Sequence, residues 1–86
     1  MENHEVIIRP VFSEAVYDLI MKDNKILFEV NKNANKFQIK RAVQELYNVK
    51  VVKVNTMITP QGVKKAIVKL AKEYPADDLA AELNLF

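Results

Sequence analysis

The 86-residue chain has no cysteine, no tryptophan, one histidine and one glycine, and each shortage removes a class of function. Without thiols there is neither a disulfide framework nor a thiolate metal site. His4 stands alone in an N-terminal stretch expected to fray, so no histidine metal centre or catalytic dyad can be assembled within the chain. With Gly62 as the only glycine, a glycine-rich phosphate loop is excluded. No apolar leader or long apolar run is present, which predicts no export, no membrane insertion and a cytoplasmic location. No cofactor or metal is implied.

What is present is an ordinary globular mixture, 50% hydrophobic and 28% charged, of a length that predicts one domain over residues 1–86. The formal charge of +2 conceals a strong asymmetry. From Lys32 to Lys72 there are ten basic residues and one acid, Glu45; the remainder holds three basic residues and ten acids. Such segregation of sign points to a surface that meets a polyanion.

The apolar periodicity predicts β-α-β-α-β-β-α. "VII" at 6–8 reads as a short strand halted at Arg9-Pro10, because proline lacks a ladder donor. Ser13 is an N-cap for a helix over 13–22, with Val16, Leu19 and Ile20 as its stripe and Phe12 and Tyr17 at staple spacing. "KILFEVN" from Lys25 alternates, with Ile26, Phe28 and Val30 inward. Asn35 and Gln38 form a capping box for a second helix whose stripe is Ile39, Ala42, Val43, Leu46 and Tyr47, with Asn48 as its stop. Val49–Ile58 and Val63–Ala71 read as two strands with even-numbered core positions, including Val52, Val54, Thr56 and Ile58. Pro75 opens a short C-terminal helix with Leu79, Ala80 and Leu83. The expected fold is α+β, a ferredoxin-like-related sandwich in which helices pack on a mostly antiparallel sheet.

Lysine is a poor strand former, yet "NTMITPQGVKKAIVKL" places Lys64, Lys65 and Lys69 in the second strand of this hairpin. A loop of Thr59–Val63 pairs Val54 with Val68 and Val52 with Leu70, and on the reverse face sets Lys53 against Lys69 and Lys65 against Met57. Lys64 then points to the core side near the hairpin tip. Opposed lysines repel unless something negative lies over them. Lys36 and Lys40 share a face of the second helix with Arg41 beside them, and Lys32 precedes that helix. Lysine and arginine hold phosphates without reading sequence, so shape-directed RNA binding is the natural use, with Asn55 as an added donor. Asp77-Asp78 suit a helix N-terminus, not a catalytic pair; Tyr47 falls on an apolar stripe and Phe37 off it; and no RRM aromatic signature occurs, so single-strand reading by base stacking is not expected. The competing reading is a small ferredoxin-like protein-interaction or regulatory module with no RNA ligand. An enzyme is not expected, since no nucleophile–base pair can be assembled.

The stretches "IIRPVFSEA", "NKFQIKRAVQELYNVKVVKVNTM" and "GVKKAIVKL" resemble the L-twenty-three family of universal large-subunit ribosomal proteins, in its archaeal and eukaryotic-type branch, across Arg9 to Leu70. The resemblance implies a βαβαββ fold, extended here by the C-terminal helix and bound to the third domain of large-subunit rRNA beside the polypeptide exit tunnel, among neighbouring ribosomal proteins. It also implies a docking platform for signal recognition particle and nascent-chain chaperones that includes Ser13 and Glu14. In the family the segments holding Arg9, Lys36, Asn55, Thr56, Lys64 and Lys65 turn toward rRNA. Two departures limit the transfer. Only a few residues around "TPQG" stand where bacterial relatives carry a long basic arm, so no tunnel-lining arm is expected; and Ala15 occupies a position where those relatives often have lysine.

Overall fold

The computed structural model describes all residues, 1–86. In chain order the elements are α1 (Asn3–Val6), β1 (Ile7–Val11), α2 (Glu14–Asp23), β2 (Lys25–Val30), α3 (Lys36–Tyr47), β3 (Val51–Ile58), β4 (Lys64–Leu70) and α4 (Ala76–Glu82). The strands form one sheet in the order β1-β2-β4-β3, antiparallel at every pairing. β4 therefore lies between β2 and β3, which α3 connects as a crossover. The α+β class and the succession of the seven expected elements agree with the sequence reading. No helix is long and apolar enough to cross a membrane.

The N-terminus departs from expectation in two ways. It is not frayed: α1 is closed by a capping box between Glu2 and Glu5, buries Val6, and is tied to α3 by a 2.7 Å bond from the Asn3 amide to Glu45. Nor does β1 stop at Arg9-Pro10, since it continues to Val11 with Pro10 opposite Phe28. β1 is an edge strand, where a residue without an N–H leaves no neighbour unpaired.

Ser13 Oγ accepts from the Val16 N–H at 3.2 Å and starts α2, which buries Val16 and Ile20. The Asn35–Gln38 capping box starts α3, with both bonds at 2.9 Å, and Ile39, Ala42 and Val43 are fully buried. Tyr47 stacks on Phe28, ring centroids 5.6 Å apart, and its burial raises the phenol pKa. Within the stripe Leu46 alone is exposed, at the margin of the core, while Tyr47 after it packs inward. Nineteen apolar residues form one cluster fed by every helix and by the inner faces of the strands, and no polar side chain is buried. Emptying the Phe28 site to alanine would remove ~3–5 kcal/mol.

Scarcity of glycine has a local solution. Asn24 and Asn48 close α2 and α3 in the left-handed region, and Asn84 adopts it after α4. Asn24 does more than cap. Its amide Nδ2 donates to the carbonyls of Leu70, Ala71 and Tyr74 at 3.1, 3.2 and 3.3 Å, while its Oδ1 accepts from the Ala76 N–H at 2.6 Å. One side chain thus joins the ends of α2 and β4 to the start of α4.

Candidate nucleic-acid interface

The hairpin forms as expected in its outer half. Gly62, φ +83°, follows Pro60 and Gln61 in the connection, and Thr59 Oγ1 accepts from the Val63 N–H at 3.2 Å. Val54 faces Val68, Lys53 faces Lys69 and Lys65 faces Met57. The inner half is corrected by a register shift between Val51 and Lys53: Val51, not Val52, opposes Leu70 and is buried, while Val52 is turned out to solvent. The Gln44 side chain takes the Val51 N–H at 2.9 Å at the inner end of this irregularity. Ile58, expected in the core, lies at the strand tip and is exposed, and Thr56 is half-buried.

Because every helix packs against one side of the sheet, the other side is bare. Strand register arranges it in three rows: Arg9, Glu29, Lys65 and Met57; then Val11, Leu27, Ile67 and Asn55; then Lys25, Lys69 and Lys53. The last row is three lysines abreast on adjacent strands, whose directly opposed side chains start ~4.5–5.5 Å apart at Cβ. Lys53 against Lys69 followed from the hairpin register alone. Lys25 was legible as outward-facing, but its place beside Lys69 required knowing that β2 pairs with β4. This face carries five basic side chains and a single acid, Glu29, which is taken by Arg9 at 2.8 Å. The protein's other ion pair, Arg41–Glu45 at 3.3 Å, also involves no lysine. No carboxylate is therefore ion-paired with the lysine row.

The remaining candidates distribute around this face. Lys36 and Lys40 are exposed on α3 and meet Lys53 at a shallow depression beside the β3 edge. Arg41 is drawn away: with the Asn3 amide it holds the Glu45 carboxyl below the ordinary carboxylate range, the Asn3 bond being the larger cause. Lys64 is on the helix-bearing side, as its parity requires, and its Nζ donates to the Ala34 carbonyl at 2.7 Å, while Lys32 is exposed nearby. Thr56 shares the side of Lys64, whereas Asn55 lies on the bare face. Ser13 and Glu14 lie at the start of α2, just beyond the β1 end that pairs with Leu27, with Glu14 exposed and Ser13 occupied as the cap.

The arrangement offers unpaired cations of the kind that hold phosphates. No group of three or more His, Cys, Asp or Glu is placed to hold a metal ion. A family model described as "Ribosomal protein L23" matches residues 5–77. The large ribosomal subunit protein uL23 of Methanobrevibacter smithii is 46% identical over 86 residues, and that of Methanococcus aeolicus 44% identical over 86 residues; each alignment covers 100% of both chains.

Proposed function

The chain belongs to the ribosomal protein L23 family, and from that membership we propose that it binds large-subunit rRNA through the bare face of its sheet and the adjoining lysines of α3. It is a ribosomal protein of the large subunit, structural and not enzymatic, with its place on the cytoplasmic ribosome. The observation that carries the RNA reading is the row Lys25–Lys69–Lys53, which repels itself in the free protein and has no carboxylate partner. A phosphate backbone laid across the row removes that repulsion and exchanges condensed counterions for lysine contacts. The family resemblance adds a site at the rim of the exit tunnel, on the third rRNA domain. It also adds a docking role for signal recognition particle and nascent-chain chaperones at Ser13 and Glu14, of which Glu14 is exposed and Ser13 is engaged as the α2 cap.

The test is the salt dependence of binding to large-subunit rRNA. Steep weakening with salt is expected, and joint replacement of Lys25, Lys53 and Lys69 by glutamine should lessen the log-log slope by ~2.7 if each lysine meets one phosphate at the duplex value of ~0.9. A protein with no salt-dependent rRNA affinity, and absent from sedimented large subunits, would refute the reading and leave an interaction module without RNA.

A further inference from the structure

Phe37 is the most exposed large hydrophobic residue of the protein, at 87%. Exposed apolar side chains are ordinary when scattered, but this one is not isolated. The strand irregularity that displaces Val52 from the core turns it, at 53% exposure, into the same shallow depression of about 260 Å³. The rim is completed by Lys36, Lys40 and Lys53, none of them ion-paired, and no acid lines it. Three apolar residues from distant parts of the chain, Phe37 of α3 with Val52 and Val54 of β3, thus share a slot bordered by three cations.

We propose that this slot receives one unpaired nucleobase of the large-subunit RNA, stacked on the Phe37 ring and flanked by Val52, with its neighbouring phosphates held by Lys36, Lys40 and Lys53. The inference rests on the RNA-binding reading above and adds a nonionic contact to a surface otherwise made of phosphate contacts. Lys53 is the link, because it belongs both to this rim and to the lysine row of the bare sheet face. An RNA strand crossing that row reaches the slot without leaving positive surface. Every base has a π-face, so stacking here is tolerant of sequence. An acidic amphipathic segment of a protein is the other occupant that an apolar slot with a cationic rim admits, and the experiment separates the two.

Affinity for deproteinised large-subunit RNA is measured across a salt series for the parent protein and for Phe37→Ala, Phe37→Leu and Phe37→Tyr, with thermal melts to verify folding. The exposed position predicts unchanged folding in all three. The expected result is a ~5- to 150-fold loss for Phe37→Ala, the range for removing one base–aromatic stack. The salt slope should not change, Phe37→Tyr should bind like the parent, and Phe37→Leu should bind like Phe37→Ala. Parent-like binding by Phe37→Ala, with the parent still steeply salt-dependent, overturns the slot and leaves the RNA reading intact. Full binding by Phe37→Leu overturns stacking in favour of a simple apolar contact. A loss seen only when other subunit proteins are present assigns the slot to a protein and overturns the proposal. Absence of salt-dependent binding by the parent overturns both readings.

Discussion

Asn24 is the residue at which one substitution should disturb three elements at once, and the bonds it makes allow the loss to be divided. In Asn24→Gly the left-handed backbone remains accessible, so only the side chain is removed. The Ala76 N–H, in a residue with no exposed surface, loses its acceptor, at a cost of ~1–3 kcal/mol for an unmet buried donor. The three carbonyls at the end of β4 and beyond lose a shared donor, worth a further ~0.5–1.5 kcal/mol. The freedom glycine adds to the unfolded chain, ~0.5–1 kcal/mol, is roughly offset by relief at a positive φ. A total near ~2–4 kcal/mol lowers Tm by ~8–30 °C for a domain of this size. Asn24→Ala should lose ~1–2 kcal/mol more, because alanine meets the left-handed penalty that glycine escapes. Asn24→Asp keeps the acceptor for Ala76 but turns a second oxygen toward three carbonyls, so it too should fall below the parent. Urea denaturation and calorimetry of the three variants give the comparison. Parent-like stability of Asn24→Gly would refute the bonding argument, and equal stability of the alanine and glycine variants would refute the conformational one.

Other outcomes follow from the same geometry. Lys25→Gln or Lys69→Gln should raise the thermal stability of the free protein slightly at low salt while weakening its rRNA complex; loss of stability with unchanged affinity would assign the lysines to the fold. Gly62→Asn should be tolerated and Gly62→Val should destabilise by more than ~1 kcal/mol, since a Cβ there meets no atom within 4 Å and only φ opposes it. The Glu45 carboxyl has its pKa lowered in the folded state, so its contribution is present above the ordinary carboxylate range and is lost as pH falls through the lowered value. Acidification should therefore loosen α1 from α3, read as a lower protection factor, relative to the intrinsic exchange rate at each pH, for the Asn31 backbone N–H that donates to the Val6 carbonyl, and Glu45→Gln should abolish that pH step. Glu14→Arg should weaken binding of signal recognition particle to intact ribosomes without altering incorporation of the protein into subunits; equal affinity would leave Glu14 only its favourable place at a helix N-terminus.

The sequence is informative wherever a residue type has one good use. Ser13, Asn35 with Gln38, and Asn48 mark helix ends because few other residues satisfy those orphan groups, and all three act as read. Between Val49 and Val54 it is ambiguous. Val51 and Val52 are chemically identical candidates for the inward position, and the choice falls to Gln44 and the Leu70 pairing, which are remote in the chain. A strict period of two cannot reveal an irregularity of this kind. Leu46 and Ile58 obey their local periods but overrun the core, whose extent is set by the other elements. For the candidate site, the Lys53–Lys69 pair was legible because a tight hairpin fixes register. The third lysine, Lys25, and the meeting of Phe37 with Val52 depend on strand order and on the shift in β3.

The lysine row also determines how the protein behaves before it finds its place. A sheet with one uncovered side and the half-buried pair Leu27 and Ile67 at its centre is, in shape, a half-sandwich that a second copy could complete. Charge forbids it: two such faces brought together would confront lysine rows across a closing, poorly hydrated gap, where like charges cannot be screened as they are in open water. The side chains proposed to hold RNA would thus also oppose face-to-face pairing of free copies. On the RNA reading proposed above, resistance to self-association and affinity for a polyanion would both come from one row of residues. A neutralised row should lose both together, the variant dimerising or precipitating in proportion to the RNA affinity it gives up.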